Sequence, residues 1–267
     1  MRIYLITMDD PIQTYDFIKN IIDNYSNSIV GLAISKGNRL TLTKGKSKFA
    51  YLISLFLIMG CTSFLRNSFL TILFRIKKYL SKFGICENPS IITYAKSKLI
   101  TTKRIKSPNN RDFLNYLDSL NIDIIINQSQ SIIKKQLLKI PSIGIINRHN
   151  ALLPKNRGRL TPFWVLFNKE KETGVSIHFV DEGIDSGDII IQKKFDVENK
   201  DNFNSIVKKN YGLASIAIIE ALKILENDKF KIIPNDDKLA TYNTTPSLIE
   251  AIKYRLRIIK GIIINKN

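Results

Sequence analysis

Histidine, cysteine and tryptophan are scarce in this sequence. Its 267 residues include two histidines, two cysteines and one tryptophan. Cys61 and Cys86 are far apart, lack the spacing of metal ligands and have no histidine near them. We therefore expect no metal site and a reducing compartment such as the cytoplasm.

Acidic residues are also few: the sequence has 23 Asp and Glu residues and 41 Lys and Arg residues, which gives a formal net charge of +18. Such an excess is compatible with nucleic acid, an anionic membrane or a phosphorylated small molecule as partner. The positive charge is spread along the chain, whereas a nucleic-acid surface needs clustered charge. We therefore expect a small-molecule partner rather than nucleic acid.

Segments that would direct the chain into or through a membrane are lacking. The start, MRIYLITMDD, has neither the basic nor the long apolar region of a signal peptide. The uncharged run over residues 49–65 lies at the lower limit of the length that crosses a bilayer, and Gly60, Thr62 and Ser63 interrupt it. We expect an intracellular protein without a membrane span.

The apolar segment around this run is predicted to form a helical insertion over residues 46–84. A transmembrane anchor is the least favoured interpretation, and two others stay open. In the first, which we favour, two helices pack on the core or complete a homodimer. In the second, a helical hairpin over residues 48–84 lies on the inner face of a membrane. The cations that would then face anionic lipid are Lys44, Lys46, Lys48, Arg75, Lys77, Lys78 and Lys82.

Apolar runs that alternate with amphipathic segments predict a mostly parallel sheet. Strands are predicted over residues 2–7, 28–35, 122–128 and 143–147, and helices over residues 9–22, 107–120 and 131–140. Ser107 is the predicted N-cap of the second helix. Continuous apolar strands need helices on both faces, which indicates a Rossmann-like α/β core. We assign this catalytic core to residues 1–205. The C-terminal extension, residues 206–267, has predicted helices over 202–227 and 245–261 and a short strand over 229–235.

The chemically versatile side chains are concentrated between residues 147 and 183. Asn147 and His149 follow an apolar strand, at the edge where parallel sheets bind ligands. Because side chains alternate along a strand, the amide and the imidazole lie on one side and can converge on one reacting atom. A lone histidine is also common as a structural residue, but this position favours a catalytic one.

Four carboxylates follow the predicted strand over residues 175–180: Asp181, Glu182, Asp185 and Asp188. One of them, held near His149, could orient the ring and relay a proton. The loop could equally be a solvated hairpin turn, and its spacing does not choose between the two.

The run INRHNALLPKNRGRLTPFWVLFNKEKETGVSIHFVDEGIDSGDI resembles the core of the folate-dependent formyltransferases. Its anchors are N-x-H, a small residue followed by LLP, an Arg-Gly turn, TGV-x-x-H and D-x-G. The resemblance extends to the core shared by methionyl-tRNA and glycinamide ribonucleotide formyltransferases. The chain departs from the family pattern at Asn156, where Tyr or Trp is usual, and at Arg148, where a small or apolar residue is usual.

The resemblance implies that Asn147, His149 and Asp185 are catalytic and that 10-formyltetrahydrofolate is the formyl donor. The groups that it places against the pterin are Ser131, Ile132, Ile133, Val180, Glu182 and Asp185. Asp10 and Arg157 are weaker candidates for contacts with the acceptor amine.

The segment ATYNTTP, residues 240–246, resembles the stretch that closes the formyltransferase core, and little sequence follows it. A tRNA formyltransferase would continue into a barrel domain, so we favour the sugar N-formyltransferase branch. The acceptor would be a nucleotide-linked amino deoxysugar for surface polysaccharide such as O-antigen. Methionyl-tRNA, glycinamide ribonucleotide and a lipid-linked amino sugar stay open as acceptors, as does a catalytically silent basic binding protein.

Overall fold

Strands and helices alternate along most of the chain. The computed structural model describes residues 1–12, 14–35, 47–227 and 229–264, with side chains through residue 260. The strands are β1 Ile3–Thr7, β2 Ile29–Ser35, β3 Thr102–Ile105, β4 Ile124–Asn127, β5 Gly144–His149, β6 Arg157–Gly158, β7 Glu172–Phe179, β8 Ile189–Asp196 and β9 Tyr242–Asn243. The helices are α1 Tyr15–Tyr25, α2 Lys48–Met59, α3 Cys61–Leu80, α4 Ile91–Ser97, α5 Arg111–Asp118, α6 Lys135–Leu138, α7 Thr161–Phe167, α8 Phe203–Leu225 and α9 Leu248–Ile264.

Seven of these strands form one sheet in the order β3-β2-β1-β4-β5-β7-β8. The first five are parallel to one another, and β7 runs antiparallel to both β5 and β8. Ile3 and Leu5 point into a core that α1, α4 and α8 cover, whereas Tyr4 and Ile6 point into the opposite core beneath α5 and α6. The prediction of a Rossmann-like, mostly parallel sheet with helices on both faces is confirmed.

Helix α8 packs on the sheet in the core that contains Ile3 and Leu5. It begins with a capping box at Asn202, and Ala214, Ile218 and Leu222 are fully buried. The predicted boundary between residues 205 and 206 therefore falls inside a core helix. The chain beyond residue 205 packs with the sheet as far as the end of α8.

The helical insertion has two helices with different surroundings. Ile58 of α2 is buried in a small cluster with Phe163, Phe203 and Tyr254, and the Arg255 guanidinium donates to the Leu57 carbonyl at 2.6 Å. Helix α2 thus packs on the core, as the first interpretation expects, whereas α3 has no buried side chain. Among the described residues, no helix combines the length and the apolar character needed to cross a membrane.

Helix α1 begins later than predicted. Asp10 accepts a hydrogen bond from the backbone N–H of Ile12 at 3.0 Å, and Pro11 lies in this turn. The Thr14 hydroxyl donates to the Met8 carbonyl at 3.0 Å rather than capping the helix. These contacts form a turn after β1, so α1 starts at Tyr15.

Helix α5 also begins later, because its cap is Asn110 and not the predicted Ser107. The Asn110 side-chain oxygen accepts from the backbone N–H groups of Asp112 and Phe113 at 3.0 and 3.3 Å. Asparagine in this position satisfies N–H groups that have no partner within the helix.

Other elements also differ from prediction. The predicted helix over residues 131–140 is reduced to the short α6, because Asn109 binds the Ile132 carbonyl and the Lys134 N–H and holds the preceding residues in a loop. The predicted strand over residues 229–235 makes a single bridge, from Ile233 to Ile189. Strand β3 was not predicted, because its first three residues lie at the exposed edge of the sheet and are polar.

Candidate active site

Strand β5 places Asn147 and His149 at the carboxyl edge of the parallel sheet. Asn147 is paired with Asn127 of β4 on one side and with His178 of the antiparallel β7 on the other. His149 is paired with Ser176, two residue pairs further along the same register. The change of strand direction at β7 thus brings the second histidine of the chain beside Asn147.

The side-chain amide of Asn147 has a fixed orientation. The Nε2 of Gln128, a buried residue that follows β4, donates to Asn147 Oδ1 at 2.8 Å and to the Asn127 carbonyl at 2.9 Å. With its oxygen engaged in this way, Asn147 has its Nδ2 donor available, and no described residue accepts from it. Gln128 therefore leaves Asn147 as an N–H donor at the sheet edge.

His149 is held from two sides by oxygen acceptors. Its Nε2 lies 2.7 Å from the Asn156 carbonyl, which can only accept, so this nitrogen carries a proton. Its Nδ1 lies 3.4 Å from Asp185 Oδ2. The ring is 6% exposed, so its orientation is determined by these contacts. Nδ1 is the nitrogen that faces the carboxylate and can serve in chemistry.

Asp185 is the carboxylate that reaches the histidine. Its Oδ2 accepts from the backbone N–H of Gly158 at 2.9 Å, and its own carbonyl accepts from Asn235 Nδ2 at 2.9 Å. The residue adopts a left-handed φ of 50°, a conformation that non-glycine residues seldom take without surrounding support. Burial raises the pKa of Asp185, but the nearby imidazoles of His149 and His178 and the Gly158 N–H outweigh burial and lower it below its ordinary value.

The other three carboxylates of the loop have different contacts. Asp181 accepts from the Gly183 N–H and the Ser186 hydroxyl, Asp188 accepts from the Asn235 N–H, and the exposed Glu182 lies 3.7 Å from Lys135 Nζ. The loop is therefore held by its own contacts and by Asn235, and only Asp185 is directed at His149.

His178 was not among the predicted site residues, although it is the histidine of the TGV-x-x-H pattern. Its Nδ1 donates to the Phe179 carbonyl at 2.7 Å, and its Nε2 lies 3.8 Å from Asp185 Oδ1 without a hydrogen-bond partner among the described residues. Burial lowers its pKa to about 4, so the ring is neutral at pH 7. Its place in the TGV-x-x-H pattern was the sequence signal that could have identified it, and the structure pairs it with Asn147 across β5 and β7.

The two segments predicted to hold the pterin meet in one core cluster, through Ile133 and Val180. Beyond them, Lys135 Nζ lies 3.7 Å from the Glu182 carboxylate. The Ile132 side chain is 80% exposed, whereas Ile133 is buried in the core. Ser131 lies 3.4 Å from Ser35 between the hydroxyl oxygens, and the Val180 N–H donates to the Ile145 carbonyl within the sheet. Pterin binding by these residues stays a prediction.

Arg157 is a structural residue and not an exposed acceptor contact. Its guanidinium is completely buried and donates to Asp237 at 2.6 Å, to the Tyr242 hydroxyl at 2.7 Å and to the carbonyl and side-chain oxygen of Asn235. These contacts join β6 to residues 235–242. Asp10 lies in the turn after β1, and a contact with the acceptor there stays a prediction.

The two departures from the family pattern have structural explanations. Asn156 donates to both Glu170 carboxylate oxygens at 2.9 and 3.0 Å and accepts from Asn243 Nδ2 at 2.7 Å. The loop that bears the carbonyl for His149 is thereby fixed. The Arg148 guanidinium lies between the rings of Phe17 and Tyr211, within 4.7 Å of both ring centres.

The family model described as "Formyl transferase" matches residues 86–222, which contain Asn147, His149, His178 and Asp185. The chain belongs to the formyl transferase family. A relative in that family, the methionyl-tRNA formyltransferase of Kosmotoga olearia, is 38% identical over 138 residues, which are 51% of this chain and 44% of the relative. The matched part thus spans less than half the length of that relative.

Solved structures of other formyl transferases share the fold. The phosphoribosylglycinamide formyltransferase of Anaplasma phagocytophilum superposes with a TM-score of 0.59 at 15% identity, covering 91% of this chain and 98% of that one. The N-formyltransferase of Helicobacter canadensis, in complex with folinic acid and dTDP-3-aminofucose, gives a TM-score of 0.57 at 18% identity and covers 91% and 71%. At these identities the similarity establishes the fold.

Proposed function

We propose that this chain transfers a formyl group from 10-formyltetrahydrofolate to a primary amine. The observation that carries the proposal is the convergence of the Asn147 amide with the His149–Asp185 pair at the carboxyl edge of the sheet. The residues present fit a folate donor, since the two segments predicted to hold the pterin meet through Ile133 and Val180, and the neighbouring Ile132 offers an exposed apolar side chain.

The donor supplies an electrophilic formyl carbon, and the residues of the site act on the charges that appear as an amine adds to it. Asn147 Nδ2 and a proton on His149 Nδ1 donate to the formyl oxygen as it becomes negative. In other enzymes the loss of one such donor slows the reaction by roughly 10²- to 10³-fold. The Asn156 carbonyl keeps the ring in position while this happens.

Asp185 acts on the amine. Its lowered pKa keeps it ionised, so its charge stabilises the positive charge on the attacking nitrogen and on the His149 ring. The proton that the nitrogen loses passes to Asp185, directly or through water, and from there to the nitrogen that leaves the formyl carbon. His178 is neutral and buried beside Asp185, and we assign it the role of packing against that carboxylate.

The acceptor that we propose is a nucleotide-linked amino deoxysugar for surface polysaccharide, and we place the reaction in the cytoplasm. The net charge of +18 suits a diphosphate-bearing substrate, and the Helicobacter canadensis relative of the same fold is in complex with dTDP-3-aminofucose. Methionyl-tRNA is the second candidate, because the chain is 38% identical to the Kosmotoga olearia enzyme over 138 residues.

The test is a formyl-transfer assay with purified chain, 10-formyltetrahydrofolate and three kinds of amine: nucleotide-linked amino sugars, methionyl-tRNA and glycinamide ribonucleotide. Mass spectrometry of the amine should show formylation of an amino sugar. Turnover with methionyl-tRNA alone would overturn the proposed acceptor but leave formyl transfer in place. No turnover with any amine, together with salt-sensitive binding of nucleic acid, would identify a silent binding protein instead.

A further inference from the structure

Helix α3 has an apolar stripe that no described part of the chain covers. None of its side chains is buried, although the helix is 20 residues long. The stripe residues recur every three or four positions, so they lie on one face of the helix. They are between 49% and 63% exposed: Leu65, Phe69, Ile72, Ile76 and Tyr79. Monomeric proteins rarely leave an apolar surface of this extent uncovered.

Cations flank the stripe on both sides. With about 100° of rotation per residue, Arg66 and Lys77 lie on one side of it, and Arg75 lies on the other. All three side chains are exposed. From residue 47 to residue 86 the sequence has no Asp or Glu, so nothing in the insertion neutralises them. An apolar face bordered by uncompensated cations has the character of a helix that lies in the plane of an anionic membrane surface.

We propose that the apolar stripe of α3 docks on an anionic phospholipid bilayer. The charges select this occupant: lipid tails accept the five apolar side chains, and anionic headgroups neutralise Arg66, Arg75 and Lys77. A second copy of the chain in the same place would bring cations against cations. The proposal is independent of the reaction that the active site performs.

The helix is connected to the edge of the sheet that bears the site. Lys78, on the side of α3 away from the stripe, forms an ion pair with the largely buried Asp9, which follows β1. The Asp9 carboxylate also accepts from the Ser90 hydroxyl at 2.7 Å. At the other end of the helix, the rings of Phe56 and Phe64 meet edge to face and join α3 to α2. Lys78 is therefore occupied within the protein, and the predicted lipid contacts Lys44 and Lys46 lie outside the described residues.

Flotation of the full chain with vesicles tests the proposal. Vesicles of equal parts phosphatidylglycerol and phosphatidylcholine should carry the protein upward in a density gradient at low salt. Vesicles of phosphatidylcholine alone should leave it at the bottom, and high salt should release it from the anionic ones. The paired change Phe69→Ser and Ile76→Ser should abolish flotation, whereas Ile216→Ser with Leu239→Ser, at exposed apolar residues elsewhere, should not.

A charge-reversed pair separates electrostatic from apolar attraction. Arg75→Glu with Lys77→Glu should weaken partition onto anionic vesicles by about 30-fold or more, given roughly 1 kcal/mol for each cation near such a surface. Lys208→Glu with Lys223→Glu, two exposed positions of α8, is the matched control. Thermal unfolding should show that all four variants are folded.

Three outcomes would overturn the proposal: wild-type protein that stays at the bottom with anionic vesicles, equal flotation with neutral and anionic vesicles, or unchanged flotation of the α3 variants. A concentration-dependent dimer of the wild type, lost in the Phe69→Ser and Ile76→Ser variant, would assign the stripe to a second copy.

Discussion

At the scale of single residues, the orientation of the Asn147 amide depends on Gln128, a buried residue that directly follows the neighbouring strand β4. Nothing in the sequence near Asn147 identifies this partner, because the contact exists only once β4 and β5 are paired. The same holds for His149, whose ring is held by the Asn156 carbonyl. The histidine and asparagine could be predicted from sequence, but the groups that orient them could not.

Replacement of Gln128 by leucine should therefore reduce catalysis without reducing binding. The variant cannot donate to Asn147 Oδ1, so the amide is free to turn its oxygen toward the reacting carbonyl. We expect kcat to fall by about tenfold or more, with little change in the KM of the acceptor, whereas Asn147→Ala should lose roughly 10²- to 10³-fold in kcat. Gln136→Leu, on the exposed surface of α6, is the control. A rise in KM at unchanged kcat would contradict the positioning role of Gln128.

His178 should make the stability of the protein depend on pH. Burial lowers its pKa from 6.5 to about 4, despite the opposing effect of the Asp185 and Asp181 carboxylates. In the unfolded chain the ring takes up a proton as the pH falls below 6.5. In the folded chain it stays neutral until the pH approaches about 4. The free energy of unfolding therefore falls as the pH drops through this window, by about 2 kcal/mol between pH 7 and pH 5.

Urea unfolding at pH 7 and pH 5 measures this effect. Substitution His178→Gln removes the titrating ring, so the variant should lose about 2 kcal/mol less than the wild type between the two pH values, whatever its stability at pH 7. An equal loss in both proteins would show that His178 does not exclude the proton.

At the scale of elements, strands were predicted better than helix ends. Strands β1, β2, β4 and β5 lie within a residue or two of the predicted apolar runs, because a strand buried on both faces must be apolar throughout. Helix starts depend on which polar side chain reaches the free N–H groups, and the choice between Ser107 and Asn110 was decided by three-dimensional geometry. Strand β3 lies at the exposed edge, so its composition carries no such signal.

The two residues that could cap α5, Asn110 and Ser107, can be compared directly. Asn110→Ala removes the side-chain oxygen that accepts from Asp112 and Phe113, and should lower the free energy of unfolding by about 1 kcal/mol. Ser107→Ala, at the predicted cap, removes one contact outside the helix and should cost clearly less. Denaturant unfolding of both variants at one pH measures the difference. A larger loss for Ser107→Ala would mean that the helix starts where the sequence indicated.

At the scale of the whole molecule, the sequence predicted the α/β architecture and the neighbourhood of the site, but not how distant segments complete it. Arg157 was proposed to meet the substrate, yet it is buried against Asp237, Tyr242 and Asn235, about eighty residues further along the chain. No local pattern distinguishes an arginine that binds a ligand from one that is enclosed by a later segment. Burial of this kind is a property of the complete tertiary structure.

The contacts of Asn235 and Arg157 have a consequence for how the site is completed. Asn235 holds the backbone of Asp185, and residues 235–243 fix the loop whose carbonyl orients His149. Residues 235–243 lie after residues 86–222, the segment that the family model matches. A chain folded only as far as β8 has every side chain of the candidate site, and Gln128 already orients Asn147, but it lacks the contacts that residues 235–243 make with Asp185 and with Asn156. The geometry around His149 and Asp185 is therefore complete only when the stretch around residue 240 has paired with β6.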